Sequence, residues 1–201
     1  MIRVMLAEDQ AMVRGALAAL LNREGDITIV AEVGRGDEAV AAALQHRPDV
    51  ALLDIEMPGM NGIDVATALH AQLPTCRVLI LTTFGRPGFL RRAMASGAVG
   101  FLVKDAPAAQ LATAIRRAMA GERVVDPNLA MAALSAGDNP LTEREQSVLT
   151  LVAGGAGNGE IAAALALTEG TVRNYLSTAM QKLHAQTRTE AAVRAEANGW
   201  L

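Results

Sequence analysis

Short runs of apolar, β-branched residues recur along the first half of the chain, at positions 2–6, 27–33, 50–53, 78–81 and 100–103. Four of the five are nearly all apolar, the pattern of strands buried on both faces of a parallel sheet. An Ala-rich amphipathic stretch follows each run, and the spacing predicts helices over 11–22, 37–46, 61–73, 87–96 and 108–120. Strand and helix alternating in this way predict a doubly wound α/β domain over residues 1–120. By analogy with one common order of such domains, and not from the alternation itself, its five-stranded parallel sheet is expected in the flavodoxin-like order 2-1-3-4-5.

The rhythm changes near Gly121. Gly121-Glu122-Arg123-Val124-Val125-Asp126-Pro127 closes the fifth helix, and Ser135-Ala136-Gly137-Asp138-Asn139-Pro140 reads as a flexible connector, with a short helix predicted between them at 129–134. Beyond Pro140 only helical patterns remain. Thr142-Glu143-Arg144-Glu145 is a capping box ahead of apolar Val148, Leu149 and Val152. A short helix over 158–165 is followed by Leu167-Thr168-Glu169-Gly170, where Thr168 is placed to cap a longer one. On that longer helix Val172, Leu176, Met180 and Leu183 form a core stripe at helical spacing. The division is therefore an α/β domain at 1–120, a linker at 121–138 and an all-α domain at 139–201.

Composition agrees, since 201 residues suit two small domains and 51% hydrophobic residues suit globular ones. One cysteine, Cys76, excludes a disulfide framework or a thiolate metal cluster. No apolar run approaches the roughly 18 residues of a membrane span. The N-terminal run meets Glu8-Asp9 where a signal peptide would continue apolar, so a cytoplasmic protein without a membrane partner is expected. His46, His70 and His184 are scattered, and Trp200 reads as a packing anchor.

In a sheet of this kind, ligands bind at the carboxyl ends of the strands, near the point where strand order reverses. The polar residues at those ends are Glu8 and Asp9, Asp54, Thr82 and Thr83, and Lys104. Three carboxylates at one rim repel one another, and a hard divalent cation with oxygen ligands relieves them; Mg²⁺ fits best. A carboxylate held against Mg²⁺ can attack a phosphoryl group, while the metal and Lys104 neutralise its oxygens and Thr82 donates a hydrogen bond. Any one of these residues could be an ordinary polar cap, but four successive strand ends in the right order are not explained that way. A phosphatase of the haloacid-dehalogenase type would need a second Asp two residues after Asp54, where the chain has Glu56.

The longer C-terminal helix presents Arg173, Asn174, Ser177, Thr178 and Gln181 opposite its core stripe. A polar helix face is ordinarily just solvated. Arg and Asn can nevertheless contact guanine and adenine edges in pairs of hydrogen bonds, and hydroxyls near a helix start can hold phosphates, so this face suits a major groove.

Ala7-Glu8-Asp9-Gln10, Leu53-Asp54-Ile55-Glu56-Met57-Pro58-Gly59, Leu81-Thr82-Thr83 and Gly100-Phe101-Leu102-Val103-Lys104-Asp105 resemble the signatures of response-regulator receivers. Leu141-Thr142-Glu143-Arg144-Glu145, Asn158-Gly159-Glu160-Ile161-Ala162 and Thr171-Val172-Arg173-Asn174-Tyr175-Leu176, with Lys182-Leu183 and Arg188-Thr189-Glu190-Ala191, resemble the LuxR-type four-helix DNA-binding domain. The whole chain is thus similar to the NarL/FixJ class, and within it to DesR-type regulators. The resemblance implies that Asp54 is the phosphoacceptor, assisted by Thr82 and Lys104. It further implies that Asp9, Asp54 and the Glu56 backbone carbonyl ligate Mg²⁺ with help from Glu8, where the family more often has Asp. Thr82 and Phe101 resemble its hydroxyl and aromatic switch pair. Thr171, Arg173, Asn174, Ser177, Thr178, Lys182 and Arg188 would contact double-stranded DNA. The implied partners are a sensor histidine kinase, a second copy of the chain once phosphorylated, promoter half-sites and RNA polymerase. The receiver would act as no enzyme beyond assisting its own phosphorylation and dephosphorylation.

Two surfaces compete for that pairing: 86–92 with the fifth helix, and the first helix with Met12, Val13 and Leu17. Residues 139–201 carry five Lys or Arg against six acids, a formal charge of −1. Few cations mean weak, salt-sensitive DNA binding by one domain, so useful affinity requires two domains on paired half-sites.

Overall fold

The apolar runs become strands in the computed structural model, which describes residues 1–83, 87–104, 108–127, 129–131 and 139–201. They are β1 (Ile2–Ala7), β2 (Ile27–Val33), β3 (Val50–Asp54), β4 (Arg77–Thr82) and β5 (Gly100–Val103). The helices between and after them are α1 (Ala11–Leu21), α2 (Gly36–His46), α3 (Gly62–Gln72), α4 (Pro87–Ala95) and α5 (Ala108–Met119). All pairings among the described residues are parallel and the expected order 2-1-3-4-5 is present; only the count is corrected, because a sixth strand, β6 (Val124–Val125), extends it to β2-β1-β3-β4-β5-β6. The sequence pattern assigns these two residues to the linker because so short a segment carries no alternation. Their pairing with Gly100 and Phe101 makes them a strand.

Side chains alternate across each strand, so the sheet builds two cores. Val4, Leu6, Val50, Leu52, Leu79 and Leu81 pack with α1 and α5, where Leu111, Ala112, Ile115 and Ala118 form the buried stripe of α5. Met5, Leu53, Ile80 and Phe101 point to the other face and are also fully buried. Central strands enclosed on both sides end abruptly in loops at their carboxyl edge, which is where the polar residues emerge.

The chain divides into two compact units, with residues 1–83 and 90–130 in the first and 139–201 in the second. Residues 129–131 are helical, and the remainder of the predicted linker helix lies outside the described residues. The second unit contains α6 (Glu143–Ala153), α7 (Asn158–Leu165), α8 (Glu169–Lys182) and α9 (Arg188–Ala197). The capping box forms as predicted, with the Thr142 hydroxyl accepting from Glu145 N–H and the Glu145 carboxylate accepting from Thr142 N–H. Thr168 and Thr187 accept from Thr171 and Glu190 N–H in the same manner. Val148, Leu149, Ile161, Val172, Leu176 and Leu183 are buried together, and Met180 packs half-buried against them.

Candidate functional site

Three strand ends deliver ionisable side chains to one place. Glu8 and Asp9 follow β1, Asp54 closes β3, and an oxygen from each of the three carboxylates lies within 4.8 Å of the others. Glu8 and Asp54 are buried, whereas Asp9 is exposed and opens the cluster to solvent. Lys104 follows β5, with its Nζ 2.6 Å from Glu8 Oε2 and 3.0 Å from Asp54 Oδ2. Burial raises the carboxyls of Glu8 and Asp54 above their ordinary values, and Lys104 opposes this without reversing it. Burial alone would lower Lys104, but its two carboxylate partners outweigh it and hold the ammonium above its usual value.

Thr82 is buried at the end of β4, and Lys104 N–H donates to its carbonyl at 2.8 Å. The β4–β5 register pairs Ile80 with Phe101 and Thr82 with Val103. Thr82 and Phe101 therefore share a face one pair apart, with Phe101 fully buried. Thr83 and Glu56 are exposed, Glu56 in the turn after β3.

That turn is held tightly. Asn61 caps α3 by accepting from Ile63 and Asp64 N–H at 3.0 and 2.9 Å. Gly62 N–H donates to Ile55 carbonyl at 3.0 Å, and a Cβ on Gly62 would stand 1.9 Å from the Asp54 carbonyl oxygen. Glycine is thus a steric requirement behind Asp54, where the sequence alone reads only a turn former. Arg14, half-buried on α1, is another residue that periodicity passes over.

In the helical unit, Arg173, Asn174, Ser177, Thr178 and Gln181 are exposed along α8, and Val172, Leu176 and Ala179 are buried on its opposite side. The Thr171 hydroxyl lies 2.9 Å from that of Thr168, and Arg173 reaches Glu169 at 3.7 Å on the surface. Lys182 and Arg188 are engaged within the domain. Lys182 Nζ meets buried Glu145 at 2.7 Å, and Arg188 donates to Asn158 Oδ1 at 2.8 Å and to the Ala156 carbonyl.

An acid-lined parallel sheet and, among the described residues, a second unit of four helices lie on one chain. Residues 4–116 match the response regulator receiver domain, and residues 139–195 match the bacterial regulatory proteins of the luxR family. The chain belongs to the NarL/FixJ family of two-component response regulators, which are DNA-binding transcriptional regulators. It is 47% identical over its full length to the transcriptional regulatory protein YvfU of Bacillus subtilis (strain 168), covering 100% of both chains. It is 46% identical, with the same coverage, to DesR of the same organism. The crystal structure of ChrA, a response regulator in a heme-sensing two-component system, is 35% identical with a TM-score of 0.60, covering 97% of this chain and 96% of that one. Among the described residues, no helix is long and apolar enough to cross a membrane.

Proposed function

We propose that Asp54 is the phosphoacceptor of this regulator, and that its phosphorylation drives two chains together on paired DNA half-sites. The observation that carries this reading is the buried Asp54 carboxylate between two further carboxylates and the Lys104 ammonium. A phosphohistidine of a sensor kinase is the donor: an Asp54 oxygen attacks phosphorus, the P–N bond breaks, and the imidazole leaves, taking up a proton. Lys104, 3.0 Å from the attacking carboxylate, neutralises a phosphoryl oxygen, and the Thr82 hydroxyl donates to another.

Three carboxylates against one ammonium leave a formal charge of −2 in an all-oxygen donor set, which fits a hard divalent cation. Glu8, Asp9, Asp54 and the Glu56 carbonyl would hold Mg²⁺, which when bound offsets charge on the transferring group. Thr82 then moves toward the phosphoryl oxygens, and Phe101 follows on the same face of the sheet, biasing a two-state surface. In this reading residues 1–120 are the receiver, 121–138 the connector and 139–201 the DNA-binding domain. Thr171, Arg173, Asn174, Ser177 and Thr178 face DNA, while Lys182 and Arg188 first brace the domain that presents them. The receiver assists only its own phosphorylation and dephosphorylation.

Intact mass and solution molar mass after incubation with Mg²⁺ and acetyl phosphate test this reading in wild type and Asp54→Ala. One added phosphoryl group with dimerisation, both absent in the variant, is expected. An unmodified wild type, or a variant modified as readily, refutes the assignment.

A further inference from the structure

The connection between β1 and α1 carries Glu8 and Asp9 into the acid cluster, yet α1 begins with little of the usual support. Gln10 at its N-cap makes no side-chain capping hydrogen bond, and the first turn holds no acidic residue. Arg14 holds the connection from its carbonyl side instead. Its Nη1 donates to the Glu8 carbonyl and lies 3.4 Å from the Asp9 carbonyl. The guanidinium is seated over Gly34, just beyond β2, where an added Cβ would stand 3.2 Å from Nη1. Glu8 is therefore fixed along its backbone from both sides, since its N–H donates to the Val33 carbonyl at 3.1 Å while its carbonyl accepts from Arg14. The Gln10 N–H donates to Glu8 Oε1 at 3.2 Å, which ties the side chain to the same connection.

A carboxylate stands where its backbone puts it. We propose that Arg14 is a positioning residue for the divalent-cation site: by gripping the carbonyls of Glu8 and Asp9 it sets where their carboxylates stand relative to Asp54. This rests on reading Glu8, Asp9 and Asp54 as that site. Groups that orient metal ligands from behind change metal affinity by about 10- to 100-fold when removed. Arg14 touches no reacting atom; it acts through the two acids.

The test is a Mg²⁺ titration of the full chain followed by backbone amide shifts around Glu8, Asp9 and Asp54, with a melting curve taken without metal. Arg14→Met keeps the apolar stem and removes the donors, and Arg14→Lys keeps a cationic donor on a shorter stem. The expected result is a Mg²⁺ midpoint about tenfold higher in Arg14→Met, partly restored in Arg14→Lys, with metal-free melting close to wild type. A wild-type midpoint in Arg14→Met overturns the inference alone. So does a shift matched by a lower melting temperature and left unrestored by Lys, because that describes a merely structural residue. A wild-type chain that binds no Mg²⁺ overturns the cation reading and this inference together.

Discussion

The acid end of the sheet and the helical unit both bury a glutamate beside a lysine, and the two pairs behave oppositely. Glu8 meets Lys104, but burial and the repulsion of Asp54 leave its carboxyl raised. Glu145 meets Lys182 and also accepts from the Thr142 N–H, and although burial pushes its carboxyl up, these partners bring it below its ordinary value. Burial pushes both carboxyls up; around Glu145 the donors outweigh it, whereas Glu8, more deeply buried and beside the like charge of Asp54, is left raised. On the reading proposed above, the unbalanced cluster would take a cation and a phosphoryl group, whereas the balanced pair braces the helical unit.

The largest effect expected from breaking this contrast is complete loss of the phosphoryl mass gain in Asp54→Ala, with no dimerisation. On the scaffold side, Leu149→Ala removes a fully buried side chain from the helical core and should cost about 2–5 kcal/mol, read as a lower denaturation midpoint of the second unit. An unchanged midpoint would show that this core is not packed as described.

Recognition and bracing separate next. Arg173→Ala should reduce discrimination between operator and non-operator DNA by about 1–3 kcal/mol while leaving stability unchanged. Lys182→Ala should do the reverse, lowering stability with little effect on discrimination, and both are measurable by fluorescence anisotropy alongside melting curves. If Lys182→Ala alone erased operator preference, its place in the scaffold would be secondary to a base contact.

The smallest effect is electrostatic. Glu145→Gln keeps an acceptor for the Thr142 N–H but loses the charge, at a cost of about 1 kcal/mol at neutral pH. Because the Glu145 carboxyl is lower in the folded chain than its ordinary 4.5, its contribution is present above that pH and fades as pH falls through the folded value. The stability gap between wild type and Glu145→Gln should therefore close in acid. A gap constant with pH would mean that the ion pair contributes nothing.

Much of this was legible without coordinates. Near-continuous apolar strands and Ala-rich helices specify an α/β sheet because each element must bury its own apolar face, and the order of Glu8, Asp9, Asp54, Thr82 and Lys104 follows from that sheet. Thr142, Glu145 and Thr168 were readable as caps because capping is local in sequence. Val124–Val125 was not readable as a strand, because two residues carry no alternation and only their pairing with β5 makes them one. The resemblance puts Lys182 and Arg188 among the expected DNA contacts, and only the fold brings them to Glu145, and to Asn158 and the Ala156 carbonyl.

The sequence by itself determined the kind of every element but the two-residue β6, the two-part organisation and the residue types gathered at the acid end of the sheet, since periodicity and capping act over one or two turns. Tertiary structure alone decided which charges are balanced, that Gly62 must leave room behind Asp54, and that Arg14 grips the Glu8 and Asp9 carbonyls. Those outcomes depend on distances between backbone atoms brought together by the fold, and residue spacing does not encode such distances.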